Sequence, residues 1–164
     1  MKKILFISAL LCIAIVSRSQ SKQLSLIDIF KMTECSDNRC MMQYAKQYGF
    51  ARDNDDEIFS DDYHFLKNRS DIGTGKTDKL LFGIKQYWNS INFDSYDENI
   101  ETEYKKLLAT GEFKETKTQK GIPSGIQKSF TSKSYPDYIA SITFQKEAGK
   151  NYYSILVMRL IKPQ

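Results

Sequence analysis

The segment DENIETEYKKLLATG, residues 97–111, divides the chain and carries its strongest helix signal. Acids in its first turn and lysines towards its end suit the helix dipole, and Glu101 and Lys105 form a favourable i, i+4 pair. One apolar stripe runs along it, formed by Ile100, Tyr104, Leu107 and Leu108. We predict a helix that opens at Asp97 and ends at Gly111, because glycine is the usual residue after a helix.

Two shorter helices are predicted before this segment. Ser25 followed by Asp28 is a near capping box and predicts a helix over residues 25–34. A second helix begins after Ser36-Asp37 and stops at Gly49.

Segments of alternating apolar residues predict strands on both sides of the 97–111 helix. They are 57–66, 78–88 and more weakly 91–96 before it, and 113–118, 125–132, 138–147 and 152–161 after it. Helix followed by strands therefore occurs twice, which predicts two tandem α-then-β units, 25–96 and 97–162. The predicted fold class is α+β, a mostly antiparallel sheet covered on one face by helices and partly open on the other.

The N-terminus predicts export. Lys2 and Lys3 precede the apolar run Ile4–Val16, which has the layout of a secretory signal peptide. The run is too short for a membrane span, which takes about 20 apolar residues. Small side chains at Ser17 and Ser19 place the predicted cleavage after Ser19.

The predicted mature domain is therefore residues 20–164, in the periplasm or outside the cell. No stable membrane anchor is expected after cleavage. Cys12 leaves a lipid anchor open as an alternative, although Leu11 is larger than the residue that lipidation prefers before its cysteine.

Charge argues against a nucleic-acid partner. The whole chain has a formal net charge of +4, but the predicted leader holds Lys2, Lys3 and Arg18 and no acid, so the mature chain is nearly neutral. Nucleic-acid binders usually carry a basic surplus. The remaining charge is uneven, acidic in residues 20–98 and basic in 99–164, which can steer a partner or help the two halves associate.

Cys35 and Cys40 are the even pair that remains after the leader, and we predict a disulfide between them. Free thiols are the alternative. A redox role would prefer two residues between the cysteines rather than four. A structural zinc site needs four nitrogen or sulfur ligands, and His64 is the only histidine, so no metal site is predicted.

Two loops imitate ligand-binding motifs without completing them. The string Gly73–Thr77 ends like a phosphate-binding loop, but Ser70 stands where that motif requires its first glycine. The acidic run Asp53–Glu57 fails as an EF-hand, because Ile58 replaces the required glycine and His64 the required glutamate. A weak, irregular calcium site remains the alternative there. No cofactor and no catalytic residue is predicted.

Aromatic residues are the predicted route to a partner. Tyrosine offers rigid contact area with a polar tip, so it suits an interface, although strands and cores also use it. The candidate interface residues, which crowd predicted turns and strand ends, are Tyr96, Tyr135, Tyr138, Tyr152 and Tyr153.

In its leader, ending Ser17-Arg18-Ser19-Gln20, and in its layout the chain resembles the small, uncharacterised exported proteins of Gram-negative bacteria. That resemblance implies location. The tandem order of helix and strands is also similar in outline to the protein inhibitors of β-lactamase, which bind an enzyme across a concave sheet. Architecture alone does not transfer function.

These observations predict an exported binding module that recognises a protein or polymer partner and has no catalytic activity. One alternative is an envelope or extracellular hydrolase with a carboxylate or His64 site, which would need a cleft holding those groups. A second alternative is a structural component of the envelope.

Overall fold

The structure is a computed structural model that describes residues 24–52, 62–67, 77–84, 88–122 and 125–161. The predicted leader, the acidic run 53–57 and residues 73–76 lie outside this range. The described helices are α1 (Leu26–Met32), α2 (Asn38–Gln47) and α3 (Asn99–Ala109). The described strands are β1 (Phe50–Arg52), β2 (Asp62–Lys67), β3 (Lys79–Ile84), β4 (Trp88–Ser95), β5 (Phe113–Ile122), β6 (Gly125–Ser132), β7 (Tyr138–Glu147) and β8 (Lys150–Leu160).

All eight strands form one antiparallel sheet in the order β1-β2-β3-β4-β8-β7-β6-β5. Each half of the chain contributes a four-stranded meander that follows its own helix or helices. The two meanders meet where the last strand of each, β4 and β8, pair with one another. The α+β class and the antiparallel sheet are therefore as the sequence predicted.

The predicted helix signals act as expected. Ser25 and Asp28 form a complete capping box at α1, and the Asp37 side chain accepts a hydrogen bond from the Cys40 amide at the start of α2. Gly49 and Gly111 follow α2 and α3 with φ of 78° and 70°, the left-handed conformation that glycine adopts without steric cost. Among the described residues, no helix has the length and apolarity to cross a bilayer.

The core lies between the three helices and one face of the sheet. Phe30 of α1 contacts a group of aromatic rings from the second half of the chain, with centroids 5.2–6.1 Å away. That group is Phe113, Phe130, Tyr135 and Tyr138. A helix of the first half thus packs on strands of the second, so burial of apolar surface holds the two halves together.

Two sets of contacts hold the loop between α1 and α2 in place. Cys35 and Cys40 are disulfide-bonded with a Cα–Cα distance of 5.5 Å, as predicted. From β4, the buried amide of Asn89 donates to the carbonyl oxygens of Thr33 and Cys35 at 3.3 and 2.8 Å. The helix layer is therefore tied to the centre of the sheet by polar contacts as well as by apolar packing.

Strand boundaries near the centre of the sheet need correction. The weak strand predicted over residues 91–96 is confirmed over 91–95, which belong to the central strand β4, and Tyr96 lies just beyond its end. Trp88, expected to end the preceding strand, begins β4 instead and lies opposite Leu160. The strand signal was weak because Ser90, Asn92 and Asp94 occupy every second position of β4 and make the segment look polar. These three residues lie on the face that points away from the helices.

Candidate functional site: the open face of the sheet

Side chains of the central strands alternate between the core and a face on which no described helix packs. On β8, Tyr153, Ile155 and Val157 are buried against the helices. Because successive strand residues point to opposite faces, the residues between them point away from the helices. We call this second surface the open face.

The open face contains an apolar patch. Its exposed members include Ile139, Leu160 and Leu156, whose exposed fractions are 54%, 45% and 37%. The patch is completed by the half-buried residues Leu81, Trp88 and Met158. The register makes most of them neighbours, since Trp88 lies opposite Leu160 and Met158 lies between Ile139 on β7 and Ser90 on β4. Leu156 follows Met158 on the same face of β8, and Leu81 lies beyond Asn92 on β3.

Beside the apolar patch lies a band of small neutral polar side chains. Its members are Asn92, Gln127, Ser129, Ser141, Thr143 and Ser154. Ser154 donates to Asn92 Oδ1 at 3.2 Å, and Gln127 Nε2 contacts Ser141 Oγ at 3.4 Å. Four of these side chains are thus hydrogen-bonded in pairs, and the band carries hydroxyl and amide groups without formal charge.

The band ends at β5, the outer strand on this side, where Lys114 and Lys117 are exposed. Residues three apart on a regular strand point to opposite faces. A register shift between Glu115 and Lys117 leaves Thr116 as the extra residue, so that Lys114 and Lys117 pair with Thr131 and Ser129. The bulge therefore places both ammonium groups on the open face.

At the end of the open face near the β7–β8 turn, Tyr96 and Tyr152 pack edge to face with ring centroids 5.2 Å apart. Tyr96 donates to Glu147 Oε2 at 2.6 Å, and this hydrogen bond, with burial and the carboxylate charge, raises the pKa of Tyr96 to about 12. Burial and the Asp94 carboxylate also raise the pKa of Tyr152. Both phenols are therefore protonated donors at neutral pH, which suits binding better than proton transfer.

The structure divides the five tyrosines proposed for an interface. Tyr138 and Tyr153 are buried in the core, at 8% and 2% exposure, so they are core residues and not accessible to a partner. Tyr135 is half-buried and packs on Phe30. Tyr96 and Tyr152 alone combine partial exposure with a place on the open face.

The described residues offer less support for a metal site or a catalytic site. No group of three or more His, Cys, Asp and Glu residues that could hold a metal ion occurs among them. His64 lies on β2, opposite Leu81. A depression of about 670 Å³ beside Tyr96 and the β7–β8 turn gathers Asp78, Asp97 and Glu98 with Lys146 and Lys150, and it is wide open. The hydrolase alternative therefore remains a prediction.

The sequence reasoning missed the apolar patch and the bulge. A signal for the patch was present, since Ile139 and Leu156 alternate with residues of the same strands that are also apolar. A strand that is apolar at consecutive positions either is buried on both faces or exposes one apolar face. Deciding between these needed the sheet order.

Comparison with protein families, with curated proteins and with solved structures finds no match to this chain.

Proposed function

We propose that this protein is an exported binding module that recognises a protein partner through the open face of its sheet. The apolar patch carries the proposal, because Trp88 and Leu160 lie side by side on a face without helix cover among the described residues. Met158 continues this apolar surface along β8 to Leu156. Contiguous exposed apolar surface rimmed by polar residues marks interaction sites. Tryptophan is also enriched among the residues that dominate interface energies.

A protein fits this surface better than a carbohydrate polymer does. The aliphatic side chains of Ile139, Leu156 and Leu160 gain free energy by burial against apolar groups. Against a polysaccharide they would mainly desolvate hydroxyl groups without replacing their hydrogen bonds, which costs free energy. The neighbouring band of serine, threonine and amide side chains then supplies the polar rim typical of protein interfaces.

Export is supported by two independent features. The leader pattern of residues 1–19 directs a chain out of the cytosol. The Cys35–Cys40 disulfide suits an oxidising compartment, where such bonds persist. We therefore propose that the partner is met in the periplasm or outside the cell.

Site-specific photo-crosslinking in the native organism tests the proposal. A photoreactive amino acid replaces Ile139 on the open face, and, as the matched control, Lys105 on the exposed side of α3. We expect a discrete adduct with another protein from position 139 and none from 105. The additional change Leu156→Asp should abolish that adduct, while circular dichroism shows that the variant remains folded.

Equal adducts from both positions, or an adduct that survives Leu156→Asp, would contradict the proposal. An adduct of twice the mass of the chain would show self-association instead and favour the structural-component alternative.

A further inference from the structure

We infer that the partner of the open face presents an apolar side chain to the patch and carries carboxylates that meet Lys114 and Lys117. The inference rests on the proposed function, because it describes the chemistry of the partner that the same face would bind. Three observations carry it: the alignment of the lysines with the patch, the bulge that orients them, and the absence of an ion pair to either lysine from the carboxylates of the described residues.

The alignment follows from the register. Leu156 lies opposite Ser141, Ser141 opposite Ser129, and Ser129 opposite Lys117. The four residues thus form one row across β8, β7, β6 and β5, all on the open face. Neighbouring strands are about 4.8 Å apart, so the backbones of Leu156 and Lys117 are separated by roughly 14 Å. One protein surface spans this distance easily.

The bulge is the reason that the charge lies on this face. Without the extra residue, Lys114 and Lys117 would point to opposite faces of the sheet. With it, both lie on the open face, while Lys120 pairs with Ile126, which in turn pairs with Phe144 on the helix side. The strand therefore carries two lysines on the open face and a third, otherwise similar lysine on the other.

Two acids at the other end of the open face are hydrogen-bonded to side chains of the protein itself. Glu147 accepts from Tyr96, and Asp94 accepts from Asn92 at 3.1 Å. No carboxylate among the described residues forms an ion pair with Lys114 or Lys117. The positive charge at this edge is thus left for a complementary partner, and charges at an interface rim steer association and fix orientation.

Lysines on an outer strand also discourage edge-to-edge aggregation. This role needs charge on the strand but not on a particular face. It therefore predicts that Lys117 and Lys120 are equivalent, whereas partner recognition predicts that they differ.

The test uses a phage-displayed library of random peptides, panned on the wild-type protein and counterselected on the Leu156→Asp variant. The peptides that remain depend on the apolar patch for binding. We expect their sequences to be enriched in acidic residues, Asp or Glu, and to contain an apolar residue as well. Each is then synthesised and its affinity is measured by fluorescence anisotropy. Lys117→Glu should weaken binding by about fivefold or more, and Lys120→Glu by less than about twofold.

Added salt should weaken wild-type binding as it screens the exposed lysines. Peptides that bind Lys117→Glu and Lys120→Glu equally well, with no salt dependence, would overturn the inference and leave the proposed function intact. Recovery of no Leu156-dependent peptide would count against the open face as a binding surface, and hence against the proposed function itself.

Discussion

The two faces of the β4–β8 pair are formed by alternate residues of the same two strands, 88–95 and 153–160, and they differ in burial and polarity. Towards the helices, Ile91, Ile155 and Val157 are fully buried. One residue along, Ser90, Leu156 and Met158 remain at least partly exposed. The comparison teaches that stability and the proposed recognition of a partner depend on alternate residues of the same strands, so that single substitutions can separate them.

The largest separation is expected for Ile155→Ala compared with Leu156→Ala. Ile155 is fully buried, so its truncation leaves a cavity and should lower the free energy of unfolding by about 2–5 kcal/mol. Leu156 is 37% exposed, and its loss should cost about 1 kcal/mol or less. Urea unfolding of both variants measures the difference. Equal losses would mean that the two faces are not distinct in burial.

The next largest effect is expected from removal of the disulfide, which lies on the helix side of the sheet. The Cys35–Cys40 bond closes a short loop, and in the chain-entropy model its removal costs about 2 kcal/mol. We expect Cys35→Ser/Cys40→Ser to lower the unfolding free energy by that amount. In native buffer the fluorescence emission of Trp88, the only tryptophan, should stay unchanged because it reports on the open face. A shifted emission maximum in the folded variant would show that the disulfide also shapes that face.

A smaller contrast is expected between two asparagines of β4. The buried amide of Asn89 donates to two backbone carbonyls, so Asn89→Ala should cost about 1–2 kcal/mol. Asn92 lies on the open face and bonds only to the side chains of Asp94 and Ser154. Asn92→Ala should therefore cost about 0.5 kcal/mol or less. Thermal unfolding monitored by circular dichroism compares them, and a larger loss for Asn92 would reverse the assignment of the faces.

The smallest expected effect is a change in titration on the open face. The hydrogen bond to Glu147 raises the pKa of Tyr96 from 10.0 to about 12. Its contribution to stability is therefore complete below about pH 10 and is lost as the pH rises through about 12, where the folded protein also releases the proton. In a titration followed by phenolate absorbance, the wild-type protein should show one fewer tyrosine that ionises near pH 10 than the Glu147→Gln variant shows. Identical titration curves would mean that the Tyr96–Glu147 bond does not form in solution.

Local sequence signals predicted the helix layer well. The Ser25–Asp28 capping box, the Asp37 cap and Gly111 are each sufficient to mark a helix end, because backbone groups at helix ends need partners within three or four residues. The Cys35–Cys40 pairing was equally predictable, since these are the two cysteines that lie outside the predicted leader.

The candidate site was predicted poorly, and the reason is physical. Tyr138 and Tyr153 were grouped with Tyr96 and Tyr152 because tyrosine suits cores and interfaces alike. Whether a tyrosine lies in the core or on the surface depends on whether its strand position faces the helices. A shift of one residue along the strand moves the side chain to the other face. The bulge at Thr116 is a shift of that kind, and it moved Lys117 to the face of Lys114.

The sequence by itself determined the three helices, the side-chain caps of the first two, the disulfide and the α+β class, since these depend on neighbours along the chain. Tertiary structure alone decided that β4 and β8 lie side by side at the centre, that Trp88 joins Leu160 on one surface, and that two lysines face the same way. Those relations join residues far apart in the chain through strand pairing, and pairing is selected by the burial of a whole sheet face rather than by any short segment.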